Sequence, residues 1–311
     1  MVVPRVGPNF PAALAIAPSA PARDGACGGD AWEHDSADDI AAFGIAGRIW
    51  ESAFLLRRYV DRDAPFVFDP PCTLHGTDEP RTVLELGAGV GTAGLALAQA
   101  LHDPSTPHTV LLTDLPDVVP LLQRNARTAQ ARGQDVRVCA LPWGDARAAD
   151  AAVRAAPRPL THILCSDLVY FPELLAPLLR TLLDLTSTAQ PPEVVIGYRI
   201  RSLTKEQPFW AALGSWFDFR AVYCAPKARP DAWVPFGSDA THLSHGPPGA
   251  VADDYFVFVA HRKPHTLSQT APHSDAALLA GRRVTDAASQ TYDPDLSGVD
   301  TFEWLMLSRS T

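Results

Sequence analysis

A doubly wound α/β domain, with a mainly parallel seven-strand sheet and an antiparallel last strand, is the fold this 311-residue chain predicts. Three observations lead to it. Across residues 45–263 short apolar runs alternate with longer segments of helical period, the pattern of parallel strands joined by crossover helices. The first such run, Thr82–Leu86, passes directly into Gly87-Ala88-Gly89-Val90-Gly91, a turn that opens a helix. The last two runs, residues 219–224 and 255–260, have no helix between them, so they pair antiparallel at one edge of the sheet.

The elements follow in order. Residues 48–60 carry Ile49, Ala53, Leu56 and Val60 at helical spacing. After the glycine turn comes a helix over 91–101, then a strand over 109–113 and a crossover helix over 116–131 with Pro116 in its first turn. A strand over 136–140 and another, His162–Ser166, precede the strongly apolar helix Pro172–Leu185. A strand over 193–198 and a helix over 204–217 complete the alternation. Residues 225–254 form a long insertion rich in Pro, Gly, Trp and His, either a substrate-facing element or a disordered addition. Residues 1–44, rich in Ala, Pro, Gly and Asp, read as a mostly disordered extension. Residues 264–311 read as a polar tail in which the apolar cluster 302–307 docks as a short helix.

Composition narrows the function classes. A net charge of −9, from 35 acidic and 26 basic residues, argues against the broad basic surface that nucleic-acid binding requires. No run approaches the roughly 18 apolar residues of a membrane helix. The apolar start at residues 11–22 is broken by Pro18 and preceded only by Arg5, a poor secretory signal. Cys27, Cys72, Cys139, Cys165 and Cys224 show no C-x-x-C spacing, which fits reduced thiols in a cytoplasmic or nuclear protein. The ten histidines include no H-E-x-x-H, so no metal is expected.

The chemistry-bearing residues sit at strand ends. In Leu84-Glu85-Leu86-Gly87-Ala88-Gly89-Val90-Gly91-Thr92, Thr92 stands where a dinucleotide fingerprint has its third glycine, and Glu85 lies two places before the first glycine. Both differences point away from a nicotinamide. Glu85 is placed to receive an ammonium group, and the turn suits a sulfonium nucleoside, S-adenosylmethionine, or is a plain tight turn. Asp114, followed by Leu115, ends the next strand and either accepts hydrogen bonds from ribose hydroxyls or caps a helix ahead of Pro116. Trp143, in Leu141-Pro142-Trp143-Gly144, offers an adenine a flat wall, or is core. Ser166, Asp167 and Tyr170 end a central strand, where a carboxylate orients an amine and an aromatic ring excludes water. The alternative makes Asp167 a helix N-cap and Tyr170 a packed aromatic.

Six ordered blocks carry a resemblance: Trp50-Glu51-Ser52-Ala53, residues 84–91, Thr113-Asp114-Leu115, residues 141–144, Ser166-Asp167-Leu168-Val169-Tyr170 and Gly197-Tyr198-Arg199-Ile200-Arg201. Over residues 45–263 the chain resembles the Rossmann-like seven-strand protein methyltransferases of the methyltransferase-like 21 group, most of all the lysine methyltransferase of valosin-containing protein. The resemblance implies that Trp50, Gly87, Ala88, Gly89, Asp114, Trp143 and Ser166 contact S-adenosylmethionine. It also implies that Asp167 and Tyr170 lie at the substrate entrance and are needed for activity. Relatives often carry Tyr-Glu-x-Arg after the fifth strand, whereas this chain has Arg199 in the acidic position.

The expected activity is methyl transfer to a protein lysine, by a monomer acting on a chaperone, an AAA ATPase or a translation factor. A methyltransferase for protein histidine or a small-molecule amine, and a non-catalytic cofactor-binding module, are the competing readings.

Overall fold

The computed structural model describes residues 16, 31–76, 79–237 and 255–282. In chain order the elements are α1 (Ala37–Phe43), α2 (Glu51–Tyr59), β1 (Phe66–Asp69), β2 (Thr82–Leu86), α3 (Thr92–Ala100), β3 (Thr109–Asp114), α4 (Val119–Ala131) and β4 (Asp135–Ala140). There follow α5 (Ala146–Ala155), β5 (His162–Ser166), α6 (Pro172–Leu185), β6 (Glu193–Arg199) and α7 (Leu203–Trp216). The end comprises β7 (Phe217–Ala221), β8 (Tyr223–Pro226), β9 (Val234–Pro235), β10 (Tyr255–Arg262) and α8 (Asp275–Leu279).

Seven strands form one sheet in the order β4-β3-β2-β5-β6-β10-β7. The five from β4 to β6 are parallel, and β10 runs antiparallel to both β6 and β7. Alternate residues of each central strand face opposite helical layers. Leu84, Leu86, Ile163, Cys165 and Ile196 join a core beneath α5, α6 and α7. Val83, Val110, Leu112, Leu164 and Val195 join a second core beneath α2, α3 and α4. The fold is therefore the doubly wound sheet with an antiparallel last strand that the alternation predicts. Because the strand order reverses between β2 and β5, a crevice opens beyond their carboxyl ends, where sheets of this type bind ligands.

Several expectations need correction. The final pairing is antiparallel as expected, but residues 219–224 are not one strand. Phe217–Ala221 alternates buried and exposed along the sheet edge, after which the chain turns at Val222 and Tyr223–Pro226 pairs with β1 in a separate three-stranded sheet, β1-β8-β9. The first half of the insertion is thus folded, since Ala225 to Gly237 includes the rest of β8 and β9; residues 238–254 lie outside the described residues.

Part of the supposed N-terminal extension is also folded. Trp32 is buried, and α1 is capped by Ser36, whose hydroxyl accepts the Asp39 N–H. In the tail, α8 packs Leu278 into the core and ties Asp275 to Arg180 at 2.8 Å. The expected docking helix at 302–307 lies outside the described residues. Helix α5 was not anticipated: it buries only Ala149 and Ala152, so no large apolar residues mark its face, and Asp145 starts it by accepting the N–H groups of Arg147 and Ala148.

Candidate active site

The crevice beyond β2 and β5 holds a cavity of about 560 Å³, within the roughly 300–1,000 Å³ typical of small-molecule sites. Every site residue expected from the sequence lines it: Trp50, Glu85, Gly87, Ala88, Gly89, Asp114, Leu115, Trp143, Ser166, Asp167 and Tyr170.

The floor is the glycine turn. Gly87 and Gly89 adopt φ +54° and +55°, a left-handed backbone that other residues rarely take. A Cβ on Gly87 would stand 2.7 Å from Cζ2 of Trp143, and one on Gly89 would stand 3.0 Å from the Ala46 carbonyl oxygen. The missing side chains let an indole close down from one side and the 44–50 segment from the other.

Asp114 ends β3 with both oxygens engaged: Oδ2 accepts the Gly89 N–H and Oδ1 the Leu115 N–H, each at 2.7 Å. Helix α4 begins only at Val119, so Asp114 is not its N-cap. Burial pushes the Asp114 carboxyl up to about 6, against the pull of these two N–H donors. Glu85 is deeper still, 1% exposed, with Oε2 accepting the Gly94 N–H at 2.9 Å. Burial raises its carboxyl to about 8, more than the Gly94 N–H lowers it, and the Asp114 charge adds to the rise. The sequence reading of Glu85 as a ready anion for an ammonium group needs this amendment: without a cationic neighbour it is mostly a neutral acid near pH 7.

The opposite wall comes from β5 and β6. Ser166 ends β5 with its Oγ buried and without a hydrogen-bond partner. Asp167 follows at φ +63°, the one non-glycine residue with positive φ among the described residues, a conformation that signals local strain at functional positions. Helix α6 is preceded by Phe171 at its N-cap, so Asp167 is not that cap. Its carboxylate instead takes a two-pronged ion pair from Arg201, Nη1 to Oδ1 at 2.7 Å and Nη2 to Oδ2 at 2.5 Å. Tyr170 packs edge-on against Phe171 at 4.8 Å. Burial, then the charges of Asp114 and Asp167, pushes its phenol well above the usual range, so it is no base near neutral pH.

Trp50 stands at the N-cap of α2, with its indole N–H donated to the Ile45 carbonyl at 3.0 Å. The guanidinium groups of Arg48 and Arg201 lie 4.1 and 5.2 Å from its ring. Arg48 and Arg199 share Glu51, at 2.5 and 3.4 Å. Sequence reasoning placed Arg201 in a motif without assigning it a role. The signal was available in the register: Ser166 pairs with Gly197 in neighbouring parallel strands, which sets the chain after β6 beside Asp167. It also missed Ile45 and Ala46, which precede the expected first helix and wall the cavity.

A glycine turn, a strand-end carboxylate and a paired aspartate around one crevice define an enzyme site built for a small cofactor and a second reactant. Residues 34–216 match the family model described as lysine methyltransferase, and the chain belongs to that family. Among its relatives is protein-lysine N-methyltransferase EFM6 of Saccharomyces cerevisiae, 30% identical over 171 residues that span 53% of this chain and 68% of the yeast protein. EEF1A lysine methyltransferase 3 of Mus musculus is 32% identical over 102 residues, 32% of this chain and 36% of the mouse protein. Its Xenopus tropicalis counterpart is 28% identical over 142 residues, 46% of this chain and 53% of the frog protein.

Proposed function

We propose that this chain transfers the methyl group of S-adenosylmethionine to the side-chain amine of a lysine in a protein substrate. The observation that carries the proposal is that one cavity joins a nucleoside-binding half, Asp114, Trp143 and the glycine turn, to an amine-facing half, Asp167 and Tyr170. The residues fit the cofactor. Ser166 Oγ is a buried polar atom in want of a partner, and Gly87 and Gly89 leave a cradle that side chains would fill.

When bound, S-adenosylmethionine supplies an electrophilic methyl group on a sulfonium. Asp114 accepts the ribose hydroxyls through the lone pairs that Gly89 and Leu115 leave free. Trp143 and Trp50, both in the cavity lining, would present their rings to the adenosine portion. Tyr170 and Phe171 keep water from the reacting line. Asp167 orients the incoming amine, and catalysis is chiefly this alignment. A free lysine has a pKa of about 10.4, and each unit between that and the working pH costs about 1.36 kcal/mol to present the neutral amine. The catalytic unit spans residues 45–263 together with the folded segment from Ala31.

The family and the EFM6 likeness favour lysine over histidine or a small-molecule amine as acceptor. The names of the mouse and frog relatives make EEF1A the first acceptor to try. The test is incubation with tritiated S-adenosylmethionine and either purified EEF1A or a hypomethylated lysate, followed by mass spectrometry of the labelled peptide. Label on a protein lysine is the expected result. Label only in the metabolite fraction, or only on histidine, overturns the proposal.

A further inference from the structure

We propose that Arg201 is a positioning residue that neutralises Asp167, so that the substrate lysine enters the reacting line as an uncharged amine. The inference rests on the methyltransferase reading above and assigns a role to a cavity-lining residue that acts through Asp167.

The geometry is specific. The Asp167 side chain is fully buried, and both its oxygens are held by one guanidinium. Arg201 is itself anchored: its backbone N–H donates to Glu206 Oε2 at 3.3 Å, and Nη1 also reaches the Arg199 carbonyl at 3.4 Å. On the other side, Asp167 donates its backbone N–H to the Gly197 carbonyl at 2.8 Å. Carboxylate and cation are thus each fixed from the ends of β5 and β6, and the pair is part of the fold rather than a chance surface contact.

The charge consequence follows from elementary electrostatics. A bare carboxylate within about 4–6 Å of an amine favours the ammonium form and raises its pKa by roughly 1–3 units. Each unit cuts the reactive neutral fraction about tenfold at a pH below that pKa. A two-pronged arginine cancels most of this attraction, while the carboxylate's remaining lone pairs still accept an N–H and orient the amine.

The other charged and titratable groups around the pair are Glu51 and Arg48 from the α2 side, Arg199 at the end of β6, Glu206 from α7, Tyr170 and Glu173 beyond β5, and Asp114 at the end of β3. Glu51 is shared by Arg48 and Arg199, and the Glu206 carboxylate takes the Tyr198 hydroxyl and the N–H groups of Arg201 and Ser202. Arg201 is therefore the cation in direct contact with Asp167. In the step itself the lysine ammonium first yields its proton to water. The amine lone pair then forms the N–C bond as the C–S bond breaks, and that bond's electrons remain on sulfur.

The test is the pH profile of labelling, from pH 6.5 to 10, with tritiated S-adenosylmethionine as donor and lysate protein as acceptor. Affinity for S-adenosylhomocysteine, by calorimetry, reports whether each variant keeps its fold. Arg201→Met is expected to move the acid limb up by about one pH unit and to cut labelling at pH 7 about tenfold, with recovery toward pH 9.5. Arg201→Lys keeps the limb near its wild-type position. Asp167→Asn, which leaves the cation unbalanced, moves the limb the opposite way whatever its overall rate, and stands as the second readout if Arg201→Met fails to bind. Unmoved limbs in these variants, with a uniform loss at every pH, overturn the assignment of Arg201 alone. A wild-type protein that binds S-adenosylhomocysteine yet labels no lysine overturns the methyltransferase reading and this inference together.

Discussion

Glu85 Oε2 accepts the backbone N–H of Gly94 at 2.9 Å, fastening the carboxyl end of β2 to the first turn of α3. The contact needs a glycine: a Cβ at position 94 would lie 2.3 Å from that oxygen and 2.4 Å from Cδ2 of Leu112. Both neighbours are buried, so neither can swing into solvent. Gly94→Ala is expected to destabilise the protein by about 2–3 kcal/mol, the usual cost of overpacking a core. Urea denaturation measures this, and a loss below about 0.5 kcal/mol would show that the helix shifts freely.

The same pair makes stability depend on pH. Burial raises the Glu85 carboxyl from 4.5 to about 8 in the folded chain. A raised carboxyl contributes stability that is fully present below the unfolded pKa and is lost as pH climbs through the folded one. The window is therefore about pH 4.5 to 8, with a slope of at most about 1.4 kcal/mol per pH unit. Glu85→Gln keeps an acceptor for Gly94 but cannot ionise. The difference between wild-type and variant urea midpoints should change steadily across this window; parallel curves would mean that Glu85 titrates normally.

These buried acids also show how far the site was legible in advance. Thr82–Leu86 and His162–Ser166 each centre on a short apolar stretch, Val83-Leu84 and Ile163-Leu164-Cys165, so their ends, and with them Glu85, Ser166 and Asp167, could be located from spacing alone. The charge state of Glu85 could not, because it depends on the helix closing above it. Arg201 contacts Asp167 across 34 positions of sequence, a partnership created by the parallel pairing of β5 and β6. The four residues of β1 alternate intermediate and exposed, and their apolar run, Phe66-Val67-Phe68, is only three residues long, too short to mark a strand of a second sheet. Helix α1 is short and acidic, and besides Phe43 its hold on the domain comes from the Asp39–Arg124 pair, which no periodicity reveals.

Those contacts carry a prediction of their own. Asp39 receives Arg124 through two bonds of 2.8 and 2.6 Å, the Ile49 N–H reaches Asp35 at 2.7 Å, and Thr92 Oγ1 donates to the Trp32 carbonyl at 2.7 Å. The Thr92 and Arg124 contacts fasten residues 31–50 to α3 and α4, the Ile49–Asp35 bond closes the segment on itself, and the segment supplies Ile45, Ala46, Ile49 and Trp50 to the cavity. Arg124 is half exposed, so the Asp39 pair contributes only about 1 kcal/mol. Asp39→Ala should speed amide exchange across residues 31–50 and weaken S-adenosylhomocysteine binding a few-fold, with little change in global melting. Unaltered exchange in that segment would refute the fastening role.

Asp114 links protonation to cofactor binding. Its carboxyl sits at about 6 because burial outweighs the donors Gly89 and Leu115, and the ionised form is the better acceptor of ribose hydroxyls. Affinity should then fall about tenfold for each unit that pH drops below 6, since binding must first expel the proton. The comparison is made in a Glu85→Gln background, so that the buried Glu85 carboxyl, at about 8, adds nothing to the slope between pH 7 and 5. In the folding equilibrium the sign is opposite: the raised carboxyl favours the folded chain at low pH, and that contribution is lost as pH rises through about 6. Weaker binding at pH 5 therefore cannot be ascribed to Asp114-driven unfolding. Asp114→Asn offers one acceptor to two N–H donors, and leaving a buried donor unpaired costs about 1–3 kcal/mol. Calorimetry with S-adenosylhomocysteine should give at least a tenfold loss for the variant at pH 7.5 and no further decline on acidification. A variant that tracks the wild-type pH dependence would place the titrating group elsewhere.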